Sequence, residues 1–121
     1  MPGILIVDDE EDMQRLVRAV IRLANEGLEV IGEAGTGEEA VDRCRELRPD
    51  IVVLDFRLPG MTGIEAAERM LADRPNQRII LFSSFLDPDT VSQATRVGIS
   101  SCLDKNRLDH LPEELWKSVA S

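Results

Sequence analysis

The chain has 121 residues, 43% of them hydrophobic and 31% charged, which suits one domain around one core. Its 23 acidic and 14 basic side chains leave a net charge of −9, which argues against direct contact with nucleic-acid phosphates and allows a bound cation or a basic partner. Aromatics are only 3%, with no Tyr and the single Trp116, so the core must be aliphatic.

In chain order the pattern alternates. "GILIVDD" is a short β-branched run that stops on acids. Met13, Leu16, Val17, Val20 and Ile21 then recur at helical steps, and Asn25-Glu26-Gly27 closes that helix with Gly27 as its cap. "LEVIGEA" is the second strand; "GTGEEAVDRCREL" is the second helix, with Thr36 as N-cap and Pro49 as its stop. "IVVLD" is the third strand, and Gly63 opens a helix carrying Ile64, Ala67, Met70 and Leu71 that Pro75 ends. "RIILFSS" is the fourth strand. Asp87-Pro88 reads as N-cap and first helical position of a fourth helix, Asp89 to Val97, whose apolar face is thin: Val91, Ala94 and Val97. "SCLDK" is the fifth strand, and Leu108, Leu111, Leu115 and Val119 mark the last helix.

Cys44 and Cys102 show no metal-ligand spacing, and the single His110 is remote from both in sequence, so both are expected to be small, reduced, buried side chains. No apolar run approaches the roughly 20 residues of a membrane span and no signal-peptide pattern opens the chain, so the expected location is the cytoplasm.

Near-continuous apolar strands, each followed by a helix, predict an α/β domain over 1–121: a five-stranded parallel sheet of flavodoxin-like (βα)5 type, strand order 2-1-3-4-5, with helices on both faces. In such a sheet ligands bind beyond the carboxyl ends of the strands. Asp8 and Asp9 end the first strand, Asp55 the third, Ser83 and Ser84 the fourth, and Lys105 the fifth. Clustered carboxylates repel, which should raise at least one pKa, and an oxygen-only donor set suits Mg²⁺, with Mn²⁺ as the other choice. A cation with Ser83 and Lys105 would receive the oxygens of a transferring phosphoryl group, with Asp55 as the carboxylate nucleophile. Singly, each residue has a plainer reading: a strand-end Asp caps a turn or helix, Ser83 is a core hydroxyl, Lys105 is solvated.

Together "VDDEEDMQRLV", "DIVVLDFRLPGMTGIE", "ILFSS" and "CLDKN" resemble the receiver domain of two-component response regulators over essentially the whole chain. The stretch from "LEVIGEA" to "MTGIE" resembles the receivers attached to helix-turn-helix output domains of nitrate-responsive regulators. The resemblance implies that Asp55 accepts a phosphoryl group from a phosphohistidine on a sensor histidine kinase or phosphotransfer protein. It implies that Asp9 binds Mg²⁺ directly, Asp8 mostly through water, and the Arg57 backbone carbonyl as a further ligand. Ser83 and Lys105 then contact the phosphoryl oxygens, and the face of the fourth helix, fifth strand and fifth helix offers readout and a homodimer contact. DNA would be met only through a separate output domain, and no membrane is involved.

The sequence departs from the family at two positions. Cys102 stands where the family favours Tyr or Phe, and Asn106 where it usually has a cis-proline, so a trans or strained bond and an altered loop are expected after Lys105. Arg57 and Phe85, each two residues beyond a site residue, are expected to overhang the site. An Asp-nucleophile magnesium phosphatase would want an acid two residues after Asp55, and Arg57 is there instead, so the chain is expected not to be an enzyme. The remaining alternative is a pseudo-receiver, never phosphorylated, acting as an interaction or dimerisation domain.

Overall fold

A computed structural model describes residues 1–24 and 27–120. Its strands are β1 (Gly3–Val7), β2 (Glu29–Ala34), β3 (Ile51–Leu54), β4 (Arg78–Ser83) and β5 (Ser101–Asp104). Its helices are α1 (Glu11–Ala24), α2 (Gly37–Leu47), α3 (Gly63–Asp73), α4 (Pro88–Val97) and α5 (Leu111–Ala120), with a 3₁₀ turn over Lys105–His110. The strands form one parallel sheet in the order β2-β1-β3-β4-β5, the predicted order.

Strand alternation divides the core in two. Leu5, Val7, Val52, Leu54, Ile79 and Leu81 point to the face covered by α2, α3 and α4. Ile4, Ile6, Ile51, Val53, Ile80 and Phe82 point to the face covered by α1 and α5. Both faces of the central strands are therefore dry, which is why these strands read as unbroken apolar runs.

Local chemistry sets the helix boundaries. Thr36 accepts from the Glu39 N–H at 3.1 Å and starts α2 as predicted. Thr62 and Glu65 form a reciprocal capping box at the start of α3. Asp87 accepts from the Thr90 N–H at 2.7 Å and Pro88 is the first helical residue, so the cap and first position of α4 are as predicted. The fourth helix buries only Thr90 and Ala94, in line with its thin apolar face.

Several expectations need correction. Leu16 is 50% exposed, because α1 turns its Val17 and Ile21 edge to the sheet and leaves Leu16 on a flank. Leu108 lies in the 3₁₀ turn and not in α5. Cys44 is buried but Cys102, on the edge strand β5, is only half-buried. Gly27 has φ +79, as a cap would, while Asn25 and Glu26 lie outside the described residues. No described helix is long and apolar enough to cross a membrane.

Candidate functional site

The carboxyl ends of β1, β3 and β5 deliver Asp8, Asp55 and Lys105 to one place. The Asp55 N–H donates to the Val7 carbonyl at 3.0 Å and the Asp8 N–H to the Ala34 carbonyl at 3.0 Å, so sheet pairing runs on to the two carboxylates. Asp8 is 3% and Asp55 6% exposed. Lys105 Nζ donates to Asp8 Oδ2 at 2.8 Å and to Asp55 Oδ2 at 3.2 Å. The remaining carboxylate oxygens are also held: Asp8 Oδ1 accepts from the Glu10 N–H and Asp55 Oδ1 from the Phe56 N–H.

The buried charge that ends the apolar run "IVVLD" is thus compensated by an ammonium and a peptide N–H. Compensation is incomplete. Burial pushes the Asp55 carboxyl above its usual range, Lys105 opposes this, and the Asp8 charge adds to the rise. The predicted rise is present, but desolvation rather than carboxylate repulsion is its largest cause. For Lys105, burial works against the charged form, yet the bonds and charges of Asp8 and Asp55 outweigh it and hold the ammonium above its ordinary value.

Asp9 lies beside this pair on the exposed side. One carboxylate oxygen from each of Asp8, Asp9 and Asp55 lies within 4.8 Å of the others. An all-oxygen set of this charge and spacing fits a hard divalent cation such as Mg²⁺. A cleft of about 530 Å³ opens above it, lined by Asp9, Asp55, Lys105, Arg57, Phe85 and Ser84, and also by Glu10, Met13 and Asn106.

The turn after Asp55 is closely packed. A side chain at Gly63 would stand 2.1 Å from the Asp55 carbonyl oxygen, so only glycine lets α3 start against the strand end. The Arg57 main chain is held by an isolated antiparallel bridge to Thr62. The Arg57 guanidinium lies over the Phe85 ring, 3.7 Å from its centroid. Both residues overhang the cleft as expected; that they stack on each other was not predicted.

Of the predicted site residues, Asp8 and Ser83 do not line the cleft; Asp8 lies beneath it, bonded to Lys105, whereas Ser83 makes no such contact. It is fully buried, and its hydroxyl accepts from the Phe85 N–H at 3.1 Å. Ser84, beyond the end of β4, lines the cleft instead. After Lys105 no cis peptide occurs among the described residues, and Asp104 Oδ1 accepts the Asn106 N–H at 2.8 Å, a donor that proline would lack.

Sequence reasoning missed Glu10 and Met13 as cleft residues. Glu10 continues the acidic run and could have been suspected; Met13 was assigned to a helix face only. It also passed over the capping box, although Thr62 and Glu65 have the required spacing.

Residues 4–116 match the response regulator receiver domain family. The chemotaxis protein CheY of Thermotoga maritima is 38% identical over 102 residues, which cover 84% of this chain and 83% of that one. The transcriptional regulatory protein LiaR of Bacillus subtilis is 38% identical over 105 residues, 87% of this chain but 49% of LiaR. The chain therefore spans about half the length of LiaR. Among solved structures, the signal receiver domain of NarL from Mycobacterium tuberculosis has a TM-score of 0.92 at 25% identity, covering 99% of this chain and 97% of that one.

Proposed function

The chain belongs to the response regulator receiver domain family, and from that premise we propose that it is a phosphoacceptor switch with Asp55 as the acceptor. The observation that carries this reading is the Asp55 carboxylate itself. It is nearly buried, 3.2 Å from Lys105, and has oxygens of Asp8 and Asp9 within 4.8 Å.

Asp8, Asp9 and Asp55, with the Arg57 backbone carbonyl, would hold Mg²⁺ or Mn²⁺. When bound, the ion would neutralise charge on the phosphoryl oxygens. Asp55 Oδ attacks the phosphorus of a phosphohistidine on a sensor kinase or phosphotransfer protein. The P–N bond breaks as the P–O bond forms, and the histidine nitrogen leaves and takes up a proton. Lys105, released from its bond to Asp55, pairs with the new phosphoryl oxygens. The product is an aspartyl phosphate on this chain, so the chain is a signalling component and not an enzyme acting on a separate substrate.

Readout passes through Ser83. Its hydroxyl now holds the Phe85 N–H, and Phe85 lies in the loop that leads to α4. A hydroxyl drawn toward the phosphoryl group gives up that bond, and the loop and the lightly anchored α4 follow. This is a population shift between two states, biased by contacts made only after phosphorylation. The relatives with a second half support a transcriptional output, with DNA met by a separate domain.

Phosphotransfer from a phosphorylated histidine protein, with and without Mg²⁺ and in wild type and Asp55→Ala, tests this. Label on the wild type alone, dependent on Mg²⁺, is the expected result. Steady phosphate release from simple phosphomonoesters would point to a phosphatase. No label under any condition would point to an interaction domain that is never phosphorylated.

A further inference from the structure

Two of the three clustered carboxylates are fixed by bonds of their own. The Asp8 oxygens are held by the Glu10 N–H and Lys105, and the Asp55 oxygens by the Phe56 N–H and Lys105. The exposed Asp9 carboxylate makes no hydrogen bond or ion pair among the described residues, so its aim depends on the main chain that carries it. That main chain is held by Gln14 of α1. Gln14 Nε2 donates to the Asp8 carbonyl at 2.6 Å, and the Gln14 N–H donates to the Glu10 carbonyl at 3.1 Å. One residue thus grips the chain on both sides of Asp9. Nε2 also lies 3.5 Å from the Ala34 carbonyl of β2, the same carbonyl that takes the Asp8 N–H.

Helix periodicity puts Gln14 there. It precedes the buried Val17 by three residues and Ile21 by a further four, so it shares the edge of α1 that turns to the sheet. Val17 and Ile21 meet apolar side chains, whereas Gln14, a turn nearer the helix start, meets the sheet's end, where the Asp8 carbonyl lies beyond the last pair of β1 and β2. Side chains at a helix start ordinarily accept from its free N–H groups; this one donates outward to the preceding turn. We propose that Gln14 is a positioning residue for Asp9: by fixing the Asp8–Asp9 peptide it aims the one unbonded carboxylate of the cluster and so sets the affinity for Mg²⁺. The proposal rests on the reading of Asp8, Asp9 and Asp55 as ligands of that cation. Gln14 does not line the cleft, so it acts only through the turn it holds. Partners that orient a metal ligand from behind are commonly worth about 10–100-fold in metal affinity.

Gln14→Met tests this, because it keeps the length of a half-buried side chain and removes the donor. Calorimetric titration of the whole chain with Mg²⁺ should give a dissociation constant about 10-fold higher in the variant than in wild type. Without Mg²⁺, amide relaxation should show more motion at Asp9 and Glu10 in the variant, with Leu5 and Ile6 unchanged. Labelling by acetyl phosphate should need more Mg²⁺ to reach half its maximal rate, yet attain the wild-type rate once Mg²⁺ saturates, since the reacting atoms are untouched. An equal dissociation constant, even with a lowered thermal midpoint, would make Gln14 only the partner of a buried carbonyl and overturn the proposal. A rate that stays low at saturating Mg²⁺ would overturn it too, because Gln14 would then act beyond Asp9. A wild type that takes up no Mg²⁺ would bring down the cation reading and the proposal together, whereas equal uptake by both proteins brings down the proposal alone.

Discussion

The Arg57 guanidinium stands 3.7 Å from the centroid of the Phe85 ring, so the residues two places beyond Asp55 and Ser83 meet across the cleft. An exposed cation–π contact is worth about 0.5–1 kcal/mol, enough to keep the pair closed most of the time. Phe85→Ala should shorten the lifetime of the aspartyl phosphate by admitting water, and Arg57→Ala should do the same. One stacked unit predicts that the double variant is little faster than either single one, a coupling of about 2–5-fold in rate. Phosphate release after removal of acetyl phosphate measures it; lifetimes that stay unchanged or lengthen would count against shielding.

Replacing Asp55 by Asn should stabilise the domain. The wild-type carboxyl is held above its usual range chiefly by burial, so near neutral pH the fold carries the cost of a desolvated charge that Asn removes. A thermal midpoint several degrees higher is expected, and Mg²⁺ should raise the midpoint of the wild type more than that of the variant. A variant that melts lower, or that gains as much from Mg²⁺, would contradict this.

Asp87 gives α4 a pH dependence. Its carboxylate accepts the Thr90 N–H, and that bond lowers its pKa below the usual aspartate value. A carboxyl with a depressed folded pKa adds stability that is complete above its unfolded pKa and fades as pH falls through the folded one. Intrinsic-rate-corrected hydrogen exchange at Thr90 should therefore accelerate in acid in the wild type and be fast at every pH in Asp87→Ala. Equal protection in the two proteins near neutrality would refute the cap as an anchor of α4.

At Cys102 the switch is expected to work without a rotating ring. The thiol is half-buried, with its pKa raised by burial. Cys102→Tyr should alter affinity for an output partner or a second copy while leaving the initial rate of phosphorylation by acetyl phosphate unchanged. Loss of phosphorylation in that variant would show that residue 102 shapes the acceptor site itself.

Legibility in the sequence followed the physics of each element. The strands were readable because both faces of β1, β3 and β4 are covered, so apolar runs such as Ile51–Leu54 carry no polar interruptions. The acidic cluster was readable because a parallel sheet puts every strand's carboxyl end on one edge. Leu16 was misplaced because steps of three and four describe a wide arc of helix surface, and only packing decides which part of the arc is covered. Leu108 was misplaced because a step of three to Leu111 fits a 3₁₀ turn as well as an α-helix. Gln77 gave no signal at all. It is 5% exposed and donates to the Pro49 and Arg78 carbonyls, a role that a polar residue beside Pro75 and Asn76 does not announce. The Arg57–Phe85 stack joins two loops, and loop conformation is not encoded in periodicity.

The most direct measurement is the intact mass of the chain after acetyl phosphate treatment, followed by mapping of the modified residue. With Mg²⁺ present, the wild type should gain one phosphoryl group, lost on mild base treatment as an acyl phosphate is, and mapped to Asp55. No gain with Mg²⁺, or the same gain in Asp55→Ala, would contradict the account.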